Sequence, residues 1–133
     1  MKIAEFFSLN RLYNYLGLVC GALLSALGGW DMPLKVLVGA MALDYASGVL
    51  VAIIQKKLSS RVGFTGLARK LMIFLIVIIA GSLDALLGES SVCRTATLAF
   101  YFVNESISLL ENASTLGLPI PDFIKETLEQ VRK

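Results

Sequence analysis

The sequence predicts an all-α membrane protein: four transmembrane helices with both termini in the cytoplasm, then a short amphipathic helix, all in one membrane domain over residues 1–133. Three observations carry this expectation. Of the 133 residues, 56% are hydrophobic and 17% charged, against roughly 45–50% and 25% in a soluble domain, which points to lipid as the solvent. The apolar residues gather into runs near the ~20 residues that cross a ~30 Å hydrocarbon core. The basic residues are shared unequally between the loops that these runs define.

Composition also limits the chemistry. A net charge of +2 with no concentrated basic stripe argues against nucleic acid. There is no histidine, and Cys20 and Cys93 form neither a metal spacing nor a disulfide framework. No metal, cofactor or catalytic constellation is expected, so an enzyme is the least favoured class.

Taken in order, residues 1–11 put Ile3, Phe6 and Phe7 on one side, with Lys2, Glu5 and Arg11 around them. That is an amphipathic lead-in suited to a membrane surface. The apolar stretch after it is too long for a signal-peptide core and lacks a clear small-x-small cleavage site, so it reads as a retained anchor. This first span, 12–30, contains no charge. Gly17, Gly21, Ser25 and Gly29 recur in it at every fourth position. Glycine is common in transmembrane helices, but four small residues in register favour a face for close helix packing, within the chain or against another copy.

The turn Asp31-Met32-Pro33 leads to the second span, 35–54, with Asp44 near its middle. A charge there costs roughly 2.5–3.5 kcal/mol on insertion scales. Asp44 is therefore either a neutral, hydrogen-bonded contact to a neighbouring helix or part of a polar pathway. Residues 55–70 form a basic cytoplasmic loop carrying Lys56, Lys57, Arg61, Arg69 and Lys70 and no acid. Such a loop fixes orientation and attracts anionic head groups. Gly63 and Gly66 mark turns, and Thr65 is the expected cap of the next helix. No strand precedes this glycine-rich segment and its spacing does not fit a P-loop.

The third span, 71–87, holds Asp84 near its far end, and a short loop brings Arg94 to the same surface, where the two are expected to pair. The fourth span, 95–112, is different in kind. Its polar residues Thr97, Tyr101, Asn104, Glu105, Ser108, Glu111 and Asn112 form one stripe at helical spacing. Its apolar residues contribute roughly 2–4 kcal/mol to insertion and Glu105 returns roughly 3. Alone it is near neutral in lipid, so it needs company. Gly117, Pro119 and Pro121 then stop the helix. Ile120, Phe123, Ile124, Leu128 and Val131 make a final amphipathic helix over about 120–132, with Asp122 early and Arg132 and Lys133 late, as the helix dipole favours.

With four spans, 10 of the 12 basic residues fall on one side and only Lys35 and Arg94 on the other. The positive-inside rule puts the richer side, and both termini, in the cytoplasm.

Several of these residues resemble the phage-lysis and toxin-secretion holins, small membrane proteins of bacteriophages and prophages. They are Asp44-Tyr-Ala-Ser-Gly48, Ser59-Ser60 with Gly63, Gly66-Leu67 and Arg69-Lys70, Asp84, and Asn104-Glu105-Ser-Ile-Ser108-Leu-Leu-Glu111-Asn112 followed by Leu116-Gly117-Leu118-Pro119-Ile120-Pro121. The match covers about residues 44–121, and its last motif is specific. The resemblance implies a non-enzymatic protein of the host cytoplasmic membrane that assembles as a homo-oligomer into lesions. These release an endolysin, or in some members a large toxin, and an antiholin is a possible partner. The Asn104, Glu105, Ser108, Glu111 and Asn112 stripe then either lines the lesion or holds the resting assembly shut. The alternatives are a small ion or proton channel using Asp44, Asp84 and Glu105, and an antiholin-type regulator.

Overall fold

The computed structural model describes residues 3–132, without the side chains of Phe6 and Arg132. Lys2 and Lys133 of the charge count lie outside the described residues, as do the side chains of Phe6 and Arg132. Five helices follow one another: α1 (Ile3–Ala26), α2 (Met32–Ile54), α3 (Ser60–Leu87), α4 (Val92–Thr115) and α5 (Asp122–Arg132). No strand occurs among the described residues.

α1 joins the lead-in and the first span into one helix but ends at Ala26 rather than Trp30. Gly28 (φ 87°) and Gly29 (φ 96°) take left-handed conformations that break it. At Gly28 an added Cβ would also lie 2.5 Å from Arg94 Nε, so the Arg94 side chain would have to shift. Gly29 therefore stands outside α1. Gly17, Gly21 and Ser25 are exposed, and nothing lies within 4 Å of a Cβ built on either glycine. The expected small-residue face is thus three residues long and, among the described residues, meets no other helix.

α2 begins at Met32, three residues before the expected span. Asp31 caps it, accepting the Leu34 N–H at 3.2 Å, and Pro33 sits in the first turn, where a missing N–H is harmless. The basic loop is shorter than expected. Only residues 55–59 connect α2 to α3, and Ser59 rather than Thr65 is the cap, accepting from Val62 N at 3.2 Å. Thr65 lies inside α3 and donates to Arg61 O at 2.8 Å. Arg61, Arg69 and Lys70 are helical, and Lys56 and Lys57 alone keep to the loop. Gly66 is not a turn: it admits the Tyr45 ring, whose Cε2 would lie 3.1 Å from a Cβ there.

α3 ends at Gly88 (φ 68°), whose N–H returns to Asp84 O. α4 starts at Val92, and Ser91 gives it no side-chain cap. Asp84 of α3 does so instead, accepting Cys93 N at 2.7 Å and Arg94 N at 2.8 Å. α5 starts at Asp122, two residues later than expected, and packs back on α4.

α4 is the hub. It packs along α2 and, less extensively, along α3, while α2 and α3 touch each other lightly. The buried core is small: Leu34, Leu37 and Met41 of α2, Ile73 and Val77 of α3, and Leu98 of α4. It fills the end of the bundle near the α1–α2 and α3–α4 turns. Among the described residues two helices, α2 and α3, are long and apolar enough to cross a membrane. Many large apolar side chains on both face outward, among them Leu43, Ile53, Leu71 and Ile79.

Candidate functional site

The end of the bundle toward the α2–α3 loop is polar inside. Asp44, Lys70 and Glu105 each stand ten residues from the loop-side end of their helix, roughly 15 Å at 1.5 Å per residue. Equal depth brings them together. Lys70 Nζ lies 2.8 Å from Asp44 Oδ2 and 2.5 Å from Glu105 Oε2. All three side chains are largely buried, with 12–16% of their surface exposed. One ammonium thus serves two carboxylates, and the trio ties all three packed helices through side chains alone.

The stripe on α4 continues the network. Ser108 and Asn112 follow Glu105 by three and seven residues, on the same face. Asn112 Nδ2 donates to Ser47 Oγ at 2.9 Å and to Asp44 O and Oδ1 at 3.3 Å. A cavity of about 520 Å³ opens beside the trio. Its walls include Asp44, Tyr45, Arg61, Gly66, Arg69, Lys70, Glu105, Ser108 and Asn112. The Tyr45 hydroxyl closes one wall by donating to Gly63 O at 3.4 Å.

Not every stripe residue joins. Asn104 borders a groove with Thr65, Arg69 and Met72 on the α3 side, and Glu111 is exposed beside a pocket shared with Lys125 of α5. Lys56 and Lys57 are exposed and outside the cavity.

A second ionic cluster sits at the opposite end. The expected Asp84–Arg94 pair takes another form, because the Asp84 carboxylate receives the Arg94 backbone N–H while the guanidinium turns to Asp31. Arg94 Nη1 meets Asp31 Oδ2 at 2.6 Å and Nη2 meets Oδ1 at 3.0 Å. Nε donates to Leu27 O at 2.6 Å and Nη2 to Gly29 O at 3.3 Å. The Arg94 hydrogen bonds hold the Asp31 carboxyl below its ordinary range; burial opposes this and the Leu34 N–H assists it.

The sequence reading missed Lys70 as the partner of Asp44 and Glu105, and Asp31 as the partner of Arg94. The first had a signal: two acids in apolar helices need a cation, and Lys70 borders the third span. The second had none, because Arg94 finds Asp31 across 63 positions of chain.

Two apolar helices of membrane-spanning length with outward-facing side chains, and charges paired between the helices, suggest a membrane protein. Residues 21–133 match the sequence model of the bacteriophage holin family. A probable holin of Bacillus phage phi105 is 36% identical over 89 residues, covering 67% of this chain and 66% of its own. An uncharacterized protein of Clostridium perfringens is 40% identical over 105 residues, 78% of each chain. Another, from Listeria monocytogenes, is 40% identical over 101 residues, 76% of this chain and 72% of its own. No solved structure matches. The chain belongs to the bacteriophage holin family.

Proposed function

We propose that this chain is a holin that crosses the bacterial cytoplasmic membrane with α1 to α4, keeps both termini in the cytoplasm, and assembles with further copies into lesions. These lesions release an endolysin for host lysis or let out a large toxin. Family membership supports the class, the asymmetry of basic residues supports the orientation, and α1 and α4, at 24 residues each, are roughly 36 Å long, sufficient to span.

The observation that carries the mechanism is the Asp44–Lys70–Glu105 trio. In a single copy Glu105, Ser108 and Asn112 of the polar stripe line the interior cavity and the central acid is satisfied, while Glu111 stays exposed. This favours a resting form held shut by the stripe over one in which the stripe already lines water. Passage to a lesion then requires α4 to exchange its partners. Lys70 and Asp44 would be replaced by water or by the stripes of other copies, at little net cost because both arrangements satisfy Glu105. The three-residue face Gly17, Gly21 and Ser25 of α1 is available for contact between copies.

The test is induced expression in bacteria, following membrane potential and release of a cytoplasmic enzyme. The parent is expected to release the enzyme abruptly after a delay. Glu105→Gln weakens the latch and is expected to shorten the delay, and Glu105→Leu to change it further. Unchanged timing in both variants at equal membrane abundance would remove the stripe from the mechanism. Passage of small ions without release of a folded enzyme would instead favour a channel, and no depolarisation at all an antiholin-type regulator.

A further inference from the structure

The cavity beside the trio holds two cations that the latch does not use. Arg61 and Arg69 lie on one face of α3 with Thr65 between them, successive residues four apart. Neither has an ion-pair partner among the described residues, whereas Lys70 is committed to Asp44 and Glu105. α3 has 28 residues, roughly 42 Å, about 12 Å more than the hydrocarbon core needs. Its uninterrupted apolar run ends near Leu71, so the excess lies at the Ser60 end. In the membrane arrangement proposed above, on which this inference rests, Arg61 stands at head-group level. Arg69 stands roughly 12 Å deeper on the same face.

Arg61 and Arg69 both line the cavity, and their long, flexible stems can bring the two guanidinium groups to one anion between them. Arg69 is exposed and lies just before the apolar run that begins at Leu71, so its guanidinium stands at the edge of the hydrocarbon, within reach of lipid phosphates. The floor of the cavity repels anions, since two carboxylates there face one ammonium. An anion therefore settles at the arginines and no further. A guanidinium fork suits a phosphate, and the volume falls within the range of small-ligand sites. We infer that the cavity between α2, α3 and α4 binds the phosphate of an anionic glycerophospholipid of the cytoplasmic leaflet, held by Arg61 and Arg69. The head group sits between the two arginines, with its acyl chains passing out over α3.

The test uses the full chain, purified in detergent, stripped of lipid, and titrated with phosphatidylglycerol or phosphatidylcholine while native mass spectrometry counts the lipid retained. The parent is expected to retain one phosphatidylglycerol per chain and little phosphatidylcholine. Arg61→Gln and Arg69→Gln are each expected to weaken retention roughly tenfold, one charge-assisted hydrogen bond's worth. Lys56→Gln/Lys57→Gln, outside the cavity, should leave it unchanged. Arg61 is exposed in the first turn of α3, so its variant tests the site without risk to the bundle. Equal retention of both lipids would overturn the proposal, as would arginine variants that bind like the parent. So would equal weakening by the lysine pair, which would mean diffuse attraction, or complete displacement by inorganic phosphate, which would mean a free-anion site. These outcomes are separate from lysis: a chain that keeps the lipid but releases no enzyme on induction sinks the holin reading and leaves this site standing.

Discussion

Two ionic clusters stand at opposite ends of one small bundle, and they are built on different principles. At the turn end, Arg94 is tied to backbone as much as to charge: two carbonyl oxygens, Leu27 O and Gly29 O, share the guanidinium with Asp31. Asp84 likewise spends its carboxylate on the first N–H groups of α4. Backbone groups cannot leave without unfolding the turn. At the loop end, the charges of Asp44, Lys70 and Glu105 meet only one another, with the Asn112 amide beside them. Side chains can find new partners by rotation of a helix. The difference teaches where the bundle is permanent and where it can open, and it puts the apolar core on the permanent side.

The largest way to break this contrast is Lys70→Met, which leaves two buried carboxylates without a cation. Loss of one partner from a buried ion cluster costs about 3–5 kcal/mol, so the variant is expected to unfold far earlier in a detergent denaturation series followed by circular dichroism. The triple variant Asp44→Asn, Lys70→Met, Glu105→Gln removes all three charges together and should recover most of that loss. A triple variant no better than the single one would mean that the trio matters through shape rather than charge.

Next comes Arg94→Lys. A point charge cannot serve two carbonyls and a carboxylate at once, so a loss of about 2 kcal/mol is expected despite the retained charge. Recovery of parental stability by lysine would show that charge alone closes the turn.

Acid provides a subtler probe of the same cluster. The folded Asp31 carboxyl is depressed below its ordinary value of 3.8. The stability it contributes is therefore present above that value and lost as pH falls through the lower folded pKa. Because this side chain is 43% exposed, solvent screening keeps the effect small. Arg94→Ala should flatten this acid limb of the stability profile, followed by circular dichroism as the pH is lowered.

The smallest expected effect is that of Gly66→Ala. Its Cβ would meet Tyr45 Cε2 at 3.1 Å, and a shift of the ring should limit the cost to about 1 kcal/mol. Gly28→Ala, with a positive φ and Arg94 in the way, should cost more than that in the same assay.

Helix content was legible in the sequence, because apolar runs of this length have few other solutions. Of the polar stripe expected from spacing, Glu105, Ser108 and Asn112 line the cavity, whereas Asn104 borders the α3-side groove and Glu111 is exposed. Boundaries were less so, and for physical reasons. The charges of the basic loop place its end at Lys70 because charges signal solvent, whereas α3 runs eleven residues further toward its N-terminus and turns Lys70 inward onto two acids. Gly63 and Gly66 looked like turns because glycine usually marks them, yet here their missing side chains make room for Tyr45. Capping of α4 by Asp84 was invisible, since the sequence names a cap by its neighbours and this one arrives from the preceding helix.

The chain order of the trio has a consequence for how the protein is made. Asp44 and Lys70 lie in helices that leave the ribosome before α4 does. In the proposed four-span arrangement, Glu105 is synthesised last and reaches a bilayer already furnished with its counter-ion. A nascent chain halted before α4 would hold Lys70 against Asp44 alone, a neutral pair. α4 adds the surplus negative charge, so the trio is loaded electrostatically only when the last of its three helices arrives.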